Sequence, residues 1–260
     1  MFRPCIDLHE GMVKQIVGGT LGDDSMLTNF VSERSSRWFA ERYRLDQLTG
    51  GHVIMLGPGN EAAALDALHA YPGGLQVGGG IRSDNAQNFL EAGASHVIVA
   101  SWVFREGRID FNRLAEISKT VGKKRLVLDL SCRRKDDRYT IVTDRWQKWT
   151  TVDINPASLA QLSDYCDEFL IHAVDVEGRC QGIDQELVKK LGQWTPLPTT
   201  YAGGANSVED LTLVTDLGQG LVDLTIGSAL DIFGGTGVRY ADAVAFNKQA
   251  AQSHSPPEVT

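Results

Sequence analysis

The sequence predicts a (β/α)8 barrel built from two copies of a half-barrel, and three observations carry that prediction. Short apolar runs alternate with amphipathic helical patterns eight times within 260 residues, and alternating βα units demand a parallel sheet. Two glycine turns, Val77-Gly78-Gly79-Gly80-Ile81-Arg82 and Ala202-Gly203-Gly204-Ala205-Asn206, each follow a strand-like run and open a helix, with Gly79 and Gly204 separated by 125 residues. Other strand ends repeat at nearly the same spacing. Ser101 and Ser228 are 127 apart, and Asp7 (in Cys5-Ile6-Asp7-Leu8) and Asp129 (in Val127-Leu128-Asp129-Leu130) are 122 apart. Matched pairs at one spacing are the signature of duplication. A doubly wound open sheet accommodates the alternation but not the half-length repeat.

In order, Phe2–Leu8 reads as a strand ending in Asp7. The segment from His9 to Ser32, with Gly11, Gly18-Gly19-Thr20 and Gly22-Asp23-Asp24, is too long for a plain connection. Glu33–Leu48 fits a helix whose candidate buried residues are Trp38, Phe39, Tyr43 and Leu48, stopped by Gly50-Gly51. Strand His52–Leu56, the turn Gly57-Pro58-Gly59 and the alanine-rich helix Glu61–Ala70 follow. After the third strand and its triple-glycine turn come helix Asn85–Ala92, strand His96–Ser101, helix Asp110–Thr120 and strand Arg125–Ser131. A second polar excursion, Cys132 to Asp153, carries Trp146 and Trp149, and its run Tyr139–Thr143 fits a hairpin arm. The pattern then resumes with helix Asn155–Asp164, strand Glu168–Asp175, helix Asp184–Leu191, strand Thr199–Ala202, helix Ser207–Leu217, strand Asp223–Gly227 and a last helix from Tyr240 to Ala251. Residues 1–251 thus read as one barrel domain, and 252–260, with Pro256-Pro257, as a frayed tail.

Composition bounds the function. A net charge of −8 argues against non-specific nucleic-acid binding, so any phosphate contact must be local. Cys5, Cys132, Cys166 and Cys180 are scattered without a paired spacing, which fits a reducing compartment and neither a disulfide framework nor a metal knuckle. No run reaches membrane-spanning length. The first strand starts so close to Met1 that no room is left for a targeting peptide, and a cytoplasmic location is expected.

In such a barrel the active site lies at the carboxyl ends of the strands. Asp7 and Asp129 would face each other across that mouth, and two carboxylates over one substrate can act as general base and general acid. A lone Asp would read as a helix cap, but each is followed by a long polar loop and no helix. The two glycine turns (Gly79-Gly80 and Gly203-Gly204) would cradle phosphates, Ser101 and Gly227-Ser228 completing them, because glycine lets backbone N–H groups approach an anion. Two cradles imply a small-molecule substrate with a phosphate at each end. Arg82 adds charge to one cradle or is a solvated surface arginine, and both readings stay open. His172, in a strand beside small residues, reads as a satisfied core histidine. Metal-ligand, serine-hydrolase and dinucleotide patterns are missing.

These residues also carry a resemblance. The run Cys5-Ile6-Asp7-Leu8-His9-Glu10-Gly11-Met12-Val13-Lys14, the Val77–Arg82 turn, Asp129, Arg145-Trp146-Gln147, the acidic glycine loop at 175–182 and Ala202-Gly203-Gly204 appear in the order found in one family, to about residue 248. The chain resembles the histidine-biosynthesis isomerases acting on phosphoribosylformimino-5-aminoimidazole carboxamide ribotide, in their fungal and plant branch. The resemblance implies a cofactor-free Amadori rearrangement of a bis-phosphorylated aminoaldose to an aminoketose. It implies Asp7 as the base that takes the C2′ proton, Asp129 as the acid that opens the ribose ring, and Trp146 as a stacking partner for the imidazole.

The chain departs from bacterial relatives at Leu56-Gly57-Pro58-Gly59, where they carry Asp-Leu-Asp, and at Ala173-Val174-Asp175-Val176-Glu177-Gly178. The third polar group of the site is therefore Asp175 or Glu177, with Asp175 preferred. Two other functions compete. The sister cyclase subunit of imidazole-glycerol-phosphate synthase shares the duplication and both aspartates, but the Trp146 and 175–182 loops favour the isomerase. A non-catalytic phosphosugar-binding barrel would need neither acid. A monomer with no nucleic-acid or membrane partner is expected.

Overall fold

The computed structural model describes residues 1–17 and 27–253; the Gly18-Gly19-Thr20 and Gly22-Asp23-Asp24 runs and residues 254–260 of the expected tail lie outside them. Pro4 interrupts the first strand, β1, leaving Phe2–Arg3 and Cys5–His9, because a residue without an N–H cannot complete a ladder. The two parts serve two neighbours. Phe2 and Arg3 pair with Leu224 and Thr225, whereas Cys5, Ile6, Asp7 and Leu8 pair with His52, Val53, Ile54 and Met55. The Pro4 carbonyl still accepts from the His52 N–H at 3.0 Å.

Between those neighbours run β2 (Gly51–Met55), β3 (Leu75–Gly78), β4 (His96–Val99), β5 (Leu126–Asp129), β6 (Glu168–His172), β7 (Thr199–Ala202) and β8 (Val222–Thr225). Each is parallel to the next. Every barrel strand therefore has a partner on both sides, and the sheet closes without an edge. The expected (β/α)8 barrel is the fold.

The helices are α1 (Ser36–Leu45), α2 (Glu61–Ala70), α3 (Ala86–Glu91), α4 (Phe111–Val121), α5 (Pro156–Ser163), α6 (Gln185–Trp194), α7 (Glu209–Leu217) and α8 (Tyr240–Ser253). Their starts follow local chemistry. Ser35, Asp110, Asn155 and Asp184 each accept from backbone N–H groups of the first turn, and Asn155 with Ser158 forms a capping box ahead of Pro156. The Ser35 cap starts α1 later than the apolar pattern from Glu33 implied. Phe39 and Tyr43 are buried as expected, but Trp38 is partly exposed beneath the Arg34 guanidinium. Gly51 opens β2, where the sequence read it as a helix stop.

Both long excursions are ordered ribbons where described. Met12–Ile16 and Thr28–Val31 pair antiparallel with each other, and the first also continues β1 through Leu8 and Val13. The second excursion is a three-stranded antiparallel sheet of Cys132–Lys135, Arg138–Thr143 and Lys148–Asp153, larger than the single hairpin arm expected at Tyr139–Thr143. Among the described residues no helix is long and apolar enough to cross a membrane.

Outward-facing strand residues such as Ile6, Leu8, Val53 and Val77 join Phe39, Leu68, Leu114 and Leu187 from the helices in the main core. Inside the barrel the filling is partly polar. Gln76 Nε2 and Thr200 Oγ1 donate to the two carboxylate oxygens of buried Glu168 at 2.9 and 2.8 Å. The next inward residue of β6, Leu170, packs with Ile54, Ile98 and Val127. Glu168→Ala should lower the free energy of urea unfolding by about 1–3 kcal/mol for each partner left unpaired. An unchanged urea midpoint would show that this polar layer does not hold the barrel.

Candidate active site

The mouth lies at the carboxyl ends of the strands, where Asp7 and Asp129 project inward from β1 and β5. The duplication is visible in the register: Asp7 pairs with Ile54 and Asp129 with Leu170, the corresponding residues of β2 and β6. A cavity of about 850 Å3 opens on the β2–β5 side, lined by Asp7, Gly79, Gly80, Arg82, Ser101, Asp129, Trp146, His172 and Glu177 among others. A much narrower one of about 30 Å3 lies on the other side, lined by Gly203, Gly204, Gly227 and Ser228 together with Asp7, His172 and Glu177. The latter three side chains therefore stand between the two glycine turns.

The two aspartates are held differently. Asp7 accepts from Gln15 Nε2 at 3.1 Å. Burial and the nearby Glu177 carboxylate push its pKa up to about 7, against the opposing pull of His172 and Gln15. Asp129 accepts from the Ser131 N–H at 2.9 Å and the Ser131 hydroxyl at 2.7 Å, and lies 3.3 Å from His172 Nδ1. Burial opposes its charge, but the His172 charge and these hydrogen bonds prevail and hold it below the ordinary carboxylate range. For His172 the balance is reversed. Burial disfavours the imidazolium, yet Asp129, followed by Glu177 and Asp7, lifts it to about 9.

His172 is thus a mouth residue, contrary to the core role its strand context implied. A single sequence shows no signal for it, since its partners come from β1, β5 and the β6–α6 loop. Gln15 was missed for a similar reason: it sits in the ribbon after β1 and reaches back to Asp7.

Of the two acids left open after β6, Glu177 lines both cavities. Its Oε2 is buried with no hydrogen-bond partner among the described residues, and burial raises its pKa. The preferred Asp175 is turned elsewhere. It accepts from Arg133 Nε and the Arg134 N–H, both at 2.8 Å, and is 40% exposed outside either cavity. Two residues apart on a tight loop, the acids face different ways.

The remaining expected residues cluster at the mouth. Arg82 reaches the rim of the larger cavity with its side chain paired to Asp84 and over half exposed. Ser101 begins a short 3-10 turn and its hydroxyl accepts from the Asp144 N–H at 2.9 Å. Ser228 lies near Gln15 and accepts from Asn29 Nδ2 at 3.1 Å. Trp146 lines the larger cavity with its ring centroid 5.9 Å from that of His172. Trp149 instead faces outward beneath Arg133 and Lys135.

The glycines are also a steric requirement. Gly79 has φ +92°, and a Cβ there would run into the Met55 carbonyl; at Gly204 (φ +77°) it would meet the Gly182 carbonyl. Gly80, at φ +74°, has open space around its missing Cβ.

The family model described as "Histidine biosynthesis protein" matches residues 1–236. The chain belongs to that family. The match spans every mouth residue from Asp7 to Ser228. The chain is 55% identical over 256 residues to a Medicago truncatula protein named as a chloroplastic 1-(5-phosphoribosyl)-5-((5-phosphoribosylamino)methylideneamino)imidazole-4-carboxamide isomerase, covering 95% of this chain and 82% of that protein. Relatives with the same isomerase name are found in Yarrowia lipolytica, at 51% identity, and Saccharomyces cerevisiae, at 49%, each alignment covering 95% of this chain and 98% of the relative.

Gly79 and Gly80, two glycines of the first cradle's single turn, separate packing from binding. Gly79→Ala should destabilise the fold, since the Met55 backbone cannot move aside cheaply. Gly80→Ala should cost only the left-handed strain, about 1–2 kcal/mol, and appear chiefly as a raised KM for a phosphorylated ligand. Thermal unfolding of both variants beside ligand titration checks this, and equal stabilities would contradict the steric account.

Proposed function

We propose that this chain is the isomerase that converts the bis-phosphorylated aminoaldose named in its relatives into the corresponding aminoketose, in histidine biosynthesis. The observation that carries this reading is the unequal carboxylate pair, Asp7 and Asp129, set between two glycine cradles at one barrel mouth. The rearrangement moves hydrogen within one molecule, from C2′ toward C1′ of the sugar, so its electron balance needs no external acceptor and no cofactor. A monomer suffices, because every group invoked comes from one chain. The acidic charge fits an enzyme with no nucleic-acid partner, and the four free cysteines fit a reducing compartment such as the cytoplasm.

In this mechanism the Gly79-Gly80 turn with Ser101, and the Gly203-Gly204 turn with Gly227 and Ser228, hold the terminal phosphates. Asp129 protonates the ribose ring oxygen and the C1′–O bond breaks to give an iminium. Asp7, whose pKa of about 7 places it near working pH, takes the C2′ proton. Glu177, on both cavities, binds a sugar hydroxyl. Asp175 supports the site from outside by tying Arg133 and Arg134 of the strand-five excursion to the β6–α6 loop.

Trp146 closes the larger cavity as part of a lid. Asp144, Arg145 and Trp146 all have left-handed backbone, at φ 52°, 56° and 66°, which costs about 1–2 kcal/mol per residue. The Ser101–Asp144 contact and the Asp144–Lys148 ion pair at 2.7 Å hold this strained turn over the mouth. Such a turn can open for the substrate and close on it, excluding water from the imine intermediate. Trp146 would then stack on the imidazole, which favours the isomerase over the ammonia-using cyclase reading.

Incubating the purified chain with the aminoaldose, with and without ammonium, tests the function. Aminoketose formation independent of ammonium is expected, whereas ammonium-dependent consumption of aminoketose would assign the cyclase instead. Asp7→Asn and Asp129→Asn should each cut turnover by about 10²–10⁴-fold with the fold intact, and near-normal turnover in either would remove its role. Trp146→Ala should weaken substrate binding and slow turnover with little change in melting temperature, and ligand-induced tryptophan fluorescence should shrink. A large stability loss with normal kinetics would make Trp146 a packing residue and end the lid.

A further inference from the structure

His172 closes β6 with its buried ring aimed into the mouth, on the walls of both cavities. The titratable and charged groups facing it are Asp129 from β5, Asp7 from β1, Glu177 from the β6–α6 loop and His52 from β2. Its Nδ1 lies 3.3 Å from both Asp129 carboxylate oxygens and 3.4 Å from the Ser131 hydroxyl. Ser131 spends its own hydroxyl proton on Asp129 Oδ1. Nδ1 therefore faces only acceptors, and a proton belongs on it.

We propose that His172 is a positioning residue that stores the proton Asp129 delivers to the substrate. The inference rests on the isomerase reading. As the substrate ring opens, the Nδ1–H bond breaks and the proton passes to Asp129, while Asp129 passes one to the ring oxygen and the C1′–O bond breaks. Asp7 takes the C2′ proton and returns it to C1′. The C2′ hydroxyl then loses its proton through Asp129 back to His172 as the product carbonyl forms. One proton leaves the pair and one returns, so the balance closes without an added reactant.

The surroundings fit storage. The three carboxylates keep the ring charged to about pH 9 despite its burial. His52, with ring centroid 5.9 Å away, cannot compete for the proton, because burial and then the His172 charge push it down to about 3. Asp129 is left ionised between turnovers, so it needs a neighbour to supply what it donates.

The test is the pH dependence of kcat/KM in wild type and in His172→Gln, which preserves a side-chain hydrogen-bond donor but holds no proton. Wild type should lose activity on the alkaline side with a midpoint near 9. His172→Gln should lose about 10²-fold in kcat at pH 8, with its alkaline limb moved to lower pH by more than one unit. A purely structural His172 would leave the limb in place, and that result overturns the proposal. Independently, 15N-histidine NMR of substrate-free wild type should show one ring titrating near pH 9, shifted down in Asp129→Asn. A neutral His172 ring at pH 7.5 overturns the proposal even if His172→Gln does not fold. Wild type inactive on the aminoaldose but with a high-titrating ring would instead fault the isomerase reading.

Discussion

The 3.3 Å contact between His172 and Asp129 decides how charge is shared over the whole mouth. Duplication alone would leave two like acids on opposite sides of a barrel, each with the same surroundings. The register shows where the halves diverged. With Ile54 matched to Leu170, His52 corresponds to Glu168, and Leu56, one step beyond β2, to His172. The second half therefore carries a base at the mouth where the first has a leucine, and an acid in the barrel interior where the first has a histidine. Asp129 acquires a cation in direct contact, whereas at Asp7 the pull of that cation is outweighed by burial and by the repulsion of Glu177. Two equivalent carboxylates become a proton acceptor near neutrality and a firmly ionised partner of an imidazolium, which is the division of labour a rearrangement needs.

Barrel closure is what makes this geometry reproducible. The split of β1 at Pro4 lets one strand bridge β8 and β2, and the Gln76–Glu168–Thr200 contacts fill the interior below the mouth. Glycines at 79 and 204 let the strand-to-helix turns pass close under neighbouring carbonyls. The same absence of side chains leaves backbone N–H groups open to a phosphate, so packing and binding impose one requirement on one residue.

Much of this was legible in the chain. Eight strand–helix units, the paired aspartates and the paired glycine turns depend on local patterns and on a repeat, both of which survive in one dimension. The excursions were harder: Met12–Ile16 pairs with Thr28–Val31, the three strands within 132–153 pair among themselves, and pairing is not written in composition. Asp175 and Glu177 have the same local chemistry, and only the approach of Arg133 and Arg134 from another loop turns one outward. His172 reads as core in its own strand, since all three acids that keep it charged are distant in sequence or beyond a turn. Gln15 was hidden in the same way, its partner lying eight residues back across a ribbon.

The central claim is that the surroundings, and not the duplicated strands, set the two aspartates apart. Carboxylate 13C NMR of aspartate-labelled protein, titrated from pH 3 to 9 and assigned with Asp7→Asn and Asp129→Asn, measures this directly. The account predicts an Asp7 midpoint near 7 and an Asp129 midpoint below the ordinary carboxylate range. Two midpoints both in the ordinary range, or the reverse order, would contradict it.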